Sequence, residues 1–442
     1  MSAPFRIALV TCPHSFSYSY ERYCNSLAHF ENLGSGYIAA LLEQHGFETD
    51  FYNYSLDGLS TGELAVLLHQ GEYSLIGFSV NNANALESIR IAASLPPQVH
   101  RCFGGYAASL SPHELLAHAG VDSVIVGEGE PAFLELARAL SAGHDYEGIA
   151  NLQTRERRNP LRPLAGLETL PFPSRRELAD FYAGAGKDRE RLALVSGSRG
   201  CHGNCSFCFV KDFYRLAPGA PVRRRSVEHL VDEIELLVRG PLQIEYIWFV
   251  DEEFIAGSRD RAFAFAAEMR RRDLCVPFEF DCRTDSVEES LFRELWSVGL
   301  SKVFLGIESF AQTFLDRVNK RTTPAINRRA IEVLDRLGIR YRLGMIFFDS
   351  GTTLAELCEN VEVCYSLDFA CINDPGRALK RNSLRGLDWE YPEAPDARQI
   401  FDRLHQEIDR QFAAAQASGM AELLEKKRAM GDYFLRLVRG ET

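Results

Sequence analysis

At 442 residues the chain exceeds one ordinary core and suits two or three domains. A hydrophobic share of 46% and a charged share of 25% exclude a disordered chain, and a formal charge of −12 disfavours nucleic acid and anionic lipid as partners. No run approaches the ~20 apolar residues of a membrane span. Eleven cysteines without a secretion-signal pattern lead to the expectation of a cytoplasmic protein, in which a tight cysteine cluster holds metal rather than disulfides. The basic runs Arg223–Arg225 and Arg270–Arg272 are flanked by acids and read as solvated faces.

Residues 1–140 alternate short apolar runs with amphipathic segments. Strands are expected near 6–10, 49–52, 75–80, 98–103 and 123–126, with helices near 36–44, 62–70, 85–93, 112–118 and 130–140. The fold class is α/β: this first unit is a five-stranded, doubly wound Rossmann-like domain, whose ligands sit beyond the strand carboxyl ends. Residues 141–190 lose the rhythm in a polar, Pro-containing run and read as a linker. Alternation resumes at Leu192, with strands expected at 192–196, 244–250, 277–282, 302–307, 341–347 and 369–372. Six units over residues 191–375 suit a partial TIM-like (β/α)6 barrel with its chemistry at the strand carboxyl ends. Residues 376–442, rich in helix formers with apolar positions three and four apart, read as a helical cap over a barrel edge or a dimer interface.

The strongest chemical signal follows the first barrel strand: Ser198-Arg199-Gly200-Cys201-His202-Gly203-Asn204-Cys205-Ser206-Phe207-Cys208. Three thiolates within eight residues can wrap one inorganic cluster, because soft sulfur ligands select iron–sulfur or zinc. Three protein ligands on a four-iron cluster leave one iron open to a chelating substrate. The competing assignment is a zinc site of the three cysteines and His202, although closed zinc sites usually use paired Cys-x2-Cys knuckles. The eight other cysteines are scattered and behave as small hydrophobes.

Cys-x3-Cys-x2-Cys with an aromatic residue, Phe207, before the third cysteine resembles the radical SAM superfamily over residues 190–375. The resemblance implies a 4Fe-4S cluster on Cys201, Cys205 and Cys208, reductive cleavage of S-adenosylmethionine to a 5′-deoxyadenosyl radical, and an electron donor of the flavodoxin or ferredoxin kind. It also implies that Val250-Asp251-Glu252-Glu253 meets the SAM amino group, Glu308-Ser309 makes a polar contact to SAM, Met345 and Phe347 face adenine, and Arg283 meets the SAM carboxylate or a substrate. Glu308 has a plainer alternative as a helix-start carboxylate. Upstream, Gly104-Gly105 with Ser109 after the fourth strand, and Gly127 and Gly129 after the fifth, resemble the cobalamin-binding half of cobalamin-type radical SAM proteins. Tight turning needs the same glycines, so cobalamin stays open as a cofactor. The Asp-x-His-x-x-Gly pattern is missing, Cys12-Pro13-His14 standing in its place, and the loop 16–30 is rich in aromatic residues.

Two reactions follow. Radical dehydration of a 1,2-diol, as in aminoglycoside biosynthesis, is the first expectation: strand-end Asp251, Glu253, Asp285, Asp349 and Asp374 suit a polar, amine-bearing small molecule, and Tyr214 is placed as a general acid. Asp251 and Glu253 join Tyr214 as its expected catalytic residues. Cobalamin-dependent C-methylation is the alternative. An iron–sulfur electron carrier is a third reading, against which the barrel pattern and Glu308 stand, since a carrier needs no second substrate pocket.

Overall fold

The computed structural model describes residues 5–13, 30–184, 190–372, 376, 379, 391–413 and 420–441. Among them are two main sheets, the first parallel except for its last strand and the second parallel throughout. The first contains β1 (Ile7–Thr11), β2 (Thr49–Asn53), β3 (Leu75–Ser79), β4 (His100–Gly104), β5 (Ser123–Ile125) and β6 (Leu152–Gln153), in the order β2-β1-β3-β4-β5-β6. Apolar side chains leave both faces of this sheet, Ala8, Phe78 and Phe103 on one side and Leu9, Leu75 and Ile125 on the other. Helices must therefore cover both faces. The strand order reverses beside β1 and β3, and this topological switch opens a crevice beyond their carboxyl ends.

The stretch read as a linker adds β6, antiparallel to β5 through Ile125 opposite Leu152, so the sheet has six strands rather than five. Two residues carry no period, which is why the sequence hides this strand. Further along, helix Arg176–Gly184 buries Leu178 and Tyr182 in the second core. The Arg175 guanidinium before it pairs with Glu31 of the first unit and Glu233 of the second, each at 2.5 Å.

The second sheet contains β7 (Leu192–Val195), β10 (Tyr246–Phe249), β11 (Phe278–Arg283), β12 (Leu300–Glu308) and β13 (Arg340–Met345) in that spatial order, all parallel. Between β7 and β10 the chain forms a two-stranded antiparallel hairpin of β8 (Ser198–Arg199) and β9 (Arg223–Arg224). Outward side chains meet the helices in one aromatic core, where Phe254 and Phe280 stack at 4.5 Å.

The sixth barrel strand expected at 369–372 is instead a 3-10 turn, Phe369–Cys371, with one parallel bridge from Ile372 to Leu343. The Phe369 ring seats against Gly431 of the last helix, so close that an added Cβ there would lie 2.7 Å from it. Helices Pro395–Ala413 and Met420–Arg439 close the β13 side, with Phe401 and Phe434 packed on Phe348. At the other edge, Glu31 accepts the Leu194 amide of β7 at 2.8 Å. No helix among the described residues is long and apolar enough to cross a membrane.

Candidate active site at the facing strand ends

The cysteine loop is built from β7 outward. Asp251, buried beyond β10, accepts the Gly197 amide at 2.9 Å and the Ser198 hydroxyl, and so fixes the turn that launches the loop. Burial pushes its carboxyl up to about 6, against those two hydrogen bonds. Gly200 then sits at φ +88, where an added Cβ would be 1.9 Å from the Pro221 carbonyl. Only glycine lets the hairpin and the loop share that space.

Beyond it, Cys201 and Cys205 converge on one spot: a Cβ on Gly203 would lie 3.3 and 3.8 Å from their sulfurs and 3.2 Å from the Arg283 guanidinium. Arg283 reaches Cys205 Sγ at 3.8 Å and is held by Asp285 at 2.9 and 3.0 Å and by the Lys320 carbonyl at 2.8 Å. Burial pushes the Cys208 thiol up to about 11, a proton that metal coordination displaces. His202 turns to Glu253, 3.7 Å away, and burial lowers its pKa. Among the described residues no three His, Cys, Asp or Glu side chains stand close enough together to hold one metal ion.

The other expected residues divide. Glu253 is fully buried with neither carboxylate oxygen hydrogen-bonded, near Cys201 and Arg283. Glu308 ends β12 at φ +63, its carboxylate 2.9 Å from Lys320 Nζ, rather than starting a helix. Ser309 points away from the site: its hydroxyl donates to Asn360 and it is fully buried. Strand alternation also corrects the adenine assignment. Met345 and Phe347 face the helix-side core, Phe347 against Phe434, while Ile346 between them meets the cluster-loop residue Phe207 through a patch containing Phe314. Asp251 is spent on the loop turn and positions the cysteines rather than facing a reactant. Asp349 is spent likewise, paired with Arg317 at 2.9 Å. Asp374, His14 and the aromatic loop 16–29 lie outside the described residues.

Facing this ring are the strand ends of the first sheet. Gly104 has open space where a Cβ would be; Gly105 at φ +99 lies against the Val80 carbonyl, and Gly127 is at φ +80. Ser109 ties these turns together, donating to the Gly105 carbonyl at 2.8 Å and accepting the Gly127 amide at 2.9 Å. A cavity of about 420 Å³ opens between the two sets. It is bounded by Gly104, Gly105, Gly127 and Gly129 on one side and by Arg199, Tyr214, Val250 and Glu252 on the other, and it continues down the first sheet past Gly77 to Leu9.

Its rim is charged, and sequence reasoning missed most of it. Arg199 lies between Glu128 at 2.9 Å and Glu130 at 2.7 Å, and Arg223 also pairs with Glu128. Glu252 accepts the Gly200 amide at 2.9 Å, the Tyr214 hydroxyl at 3.0 Å and the Tyr106 hydroxyl at 3.3 Å. The available signal was two glutamates inside a glycine turn, Gly127-Glu128-Gly129-Glu130, opposite an arginine two residues before the first cluster cysteine.

Family models match in the same places: the radical SAM superfamily over residues 195–364 and the B12 binding domain over residues 25–137. The chain carries a radical SAM domain and, before it, a B12-binding domain. This radical SAM chain is 26% identical over 347 residues to an uncharacterized methyltransferase of Pyrococcus horikoshii, covering 76% of this chain and 73% of that one. Its fold is shared with the cobalamin-dependent S-adenosylmethionine radical enzyme OxsB with aqua-cobalamin bound, at TM-score 0.76 and 16% identity over 98% of this chain and 72% of that one. It is also shared with the radical S-adenosylmethionine methyltransferase TsrM of Kitasatospora setae, at TM-score 0.64 and 19% identity over 83% and 71%. The radical SAM chain spans only 56% and 50% of the anaerobic magnesium-protoporphyrin IX monomethyl ester cyclases of Rubrivivax gelatinosus and Cereibacter sphaeroides that it matches. A radical SAM domain implies a 4Fe-4S cluster and S-adenosylmethionine as cofactors.

Proposed function

We propose that this chain is a cobalamin-dependent radical SAM enzyme that transfers a methyl group to a carbon of a polar small molecule. The observation that carries this reading is the cavity shared by the two sets of strand ends, because a large ring seated on the glycine turns would lie directly over the barrel mouth. The residues fit each group. Cys201, Cys205 and Cys208 would hold the cluster, the buried carboxylate of Glu253 suits the SAM ammonium, and Arg283 suits its carboxylate. The open space at Gly104 and the slot past Gly77 would admit the corrin and its tail. When bound, the cluster and SAM supply reductive radical initiation and cobalamin supplies a transferable methyl group.

The chain's own residues position and exclude. Asp251 and Glu252 brace the cysteine loop from the end of β10, while the Arg199–Glu128–Arg223 network ties the cysteine loop and its hairpin to the glycine turn across the rim of the cavity. Diol dehydration, the first expectation from the sequence, loses its supports. Asp251 is buried in a turn, and the Tyr214 hydroxyl donates to Glu252, its pKa driven well above 10 by burial and by the neighbouring Tyr106 and Glu252. A one-electron donor of flavodoxin or ferredoxin type completes the proposal. The test is anaerobic incubation of cluster-reconstituted protein with SAM and reductant, with and without hydroxocobalamin, measuring 5′-deoxyadenosine and S-adenosylhomocysteine. Both products appearing only with cobalamin is the expected result; 5′-deoxyadenosine alone, indifferent to cobalamin, would overturn it.

A further inference from the structure

The inner wall of the barrel holds a polar layer that neither the cluster nor the interdomain cavity uses. Outward positions of β11 to β13, such as Phe280, Leu305 and Leu343, belong to the helix-side core. Alternation therefore turns Asp281, Phe304 and Arg342 inward. Register sets these three side by side, Asp281 opposite Phe304 and Phe304 opposite Arg342. Two residues nearer the carboxyl ends, the same register sets Arg283 opposite Gly306 and Gly306 opposite Gly344. One layer is thus filled by three large side chains, and the layer above it on β12 and β13 has none.

Neighbouring side chains lean over both glycines. A Cβ on Gly344 would lie 2.6 Å from the Phe304 ring below it, and one on Gly306 would lie 2.9 Å from both Glu308 Oε1 and Lys320 Nζ above. Arg283, which touches Cys205, stands beside Gly306. A molecule resting on the floor layer would lie beneath the residues proposed to meet SAM.

The charges of the floor are unequally satisfied. The Arg342 guanidinium sits 5.8 Å from the Trp248 ring and 5.9 Å from the Phe304 ring, and the Phe30 edge fixes Trp248 from the first unit at 5.0 Å. Glu279, one inward step below Asp281, is saturated: it accepts the Tyr246 hydroxyl at 2.9 Å and pairs with Lys302, with Arg342 3.8 Å away. Asp281 differs, since among the described residues no hydrogen bond reaches its carboxylate. A carboxylate on an aromatic floor, without a donor among the described residues, is an acceptor set for a ligand. Burial pushes its pKa up to about 7, with the Arg342 charge opposing.

We infer that Asp281 selects the substrate, accepting a hydrogen bond from a hydroxyl or ammonium group of a small molecule whose body packs on the floor of Trp248 and Phe304 inside the barrel. This rests on the reading above that the reaction takes place at the barrel mouth. Asparagine at 281 keeps the shape and an acceptor oxygen but loses the charge, whereas alanine loses both, so the pair separates the two donor types.

The test uses a host strain lacking its own copy of this protein, complemented with wild type, Asp281→Ala or Asp281→Asn, its small molecules compared by mass spectrometry. In parallel, iron content and the SAM-induced change in the cluster EPR signal are measured on each purified protein. The expected result is that D281A lowers product about 10- to 100-fold, the cost of one hydrogen bond to a charged group, while iron and the EPR response stay at wild-type level. A mild loss in D281N then identifies a hydroxyl donor, and a loss equal to that of D281A identifies an ammonium. Wild-type product levels in D281A, or loss of iron or of the SAM response in both variants, would overturn the inference. A wild-type product that differs from its precursor by something other than a methyl group would sink methyl transfer while leaving the role of Asp281 to be decided by the same ratio. No metabolite distinguishing wild type from the empty strain would overturn both.

Discussion

The two sheets use the same end of the strand in opposite ways. Strands β4 and β5 run out into glycine, with backbone at φ +99 at Gly105 and +80 at Gly127 and no side chain at Gly104 to fill the space beyond. Strands β10, β11 and β12 run out into charge: Asp251, Glu252 and Glu253, then Arg283, then Glu308. Glu308 is itself held at φ +63 in a conformation that costs roughly 1–3 kcal/mol, and its pairing with Lys320 and the Ile346 amide at its carbonyl keep it there. Backbone approach suits a large ligand recognised by shape. Aimed side chains suit a small ligand recognised by charge, and the facing of the two sets is what gives the cavity two chemistries.

The sharpest way to break that comparison is to remove one side of it. Cys205→Ala takes away the thiol that meets Arg283 and leaves two of the three cluster ligands. Iron analysis and the cluster's visible absorbance should fall to background, and 5′-deoxyadenosine formation by at least about a thousandfold, as expected when a unit that acts together loses one member. The opposite side is tested by neighbouring glycines. Gly104→Leu enters open space and strains nothing, so it should abolish binding of hydroxocobalamin in a spectroscopic titration while iron content and Tm hold. Gly105→Ala would meet the Val80 carbonyl at 2.7 Å from a left-handed backbone, so it should lower stability by at least about 1–2 kcal/mol. Equal effects from the two would mean that the glycines serve turning alone.

Much of this architecture was legible because long parallel strands and amphipathic helices announce themselves by period, and the cysteine spacing announces the loop. What stayed hidden was short or non-local. The two residues of β6 show no alternation, and Phe369 leaves the expected sixth strand to seat on Gly431, far away in sequence. Site residues chosen by proximity to strand ends fared according to which way alternation turned them: Arg283 faces the cysteines, whereas Phe347 and Ser309 face the core. Asp251 looked like a catalytic carboxylate because its type and place were right. Only the structure shows its oxygens taken by Gly197 and Ser198. The rim of Glu128, Glu130, Arg199 and Arg223 required knowing that the two units face each other.

Between the sheets the joining helix supplies a smaller test. Burial, then the charges of Glu31 and Asp57, push the Glu177 carboxyl from 4.5 up to about 8, against hydrogen bonds from Asn53 and Asn32; one of its oxygens is buried without a partner. Because the folded value lies above the unfolded one, the native chain keeps a proton through that interval and stability falls as pH rises across it. Glu177→Gln, which cannot ionise, should leave urea stability near pH 4.5 unchanged and raise it at pH 8 by an amount of the order of 2–3 kcal/mol. An identical pH slope in the variant would place the unpaired oxygen in contact with solvent.

The smallest effect isolates what strand-end charge contributes. Arg293 pairs with Glu289 at 2.8 Å on a helix behind the barrel, with both side chains largely exposed, at 62% and 40%. It is the same chemistry as Arg283 with Asp285 at 2.9 Å, but water screens it and no thiol depends on it. Arg293→Ala should therefore change stability by no more than about 0.5 kcal/mol and leave iron content and SAM cleavage untouched. Arg283→Ala strips the guanidinium from a pocket where it is 7% exposed and touches Cys205, and should cost most of the SAM cleavage with little change in Tm. If the two arginines behaved alike, charge in general rather than its placement at the barrel mouth would be what the second sheet contributes, and the contrast with the glycine-ended sheet would lose its meaning.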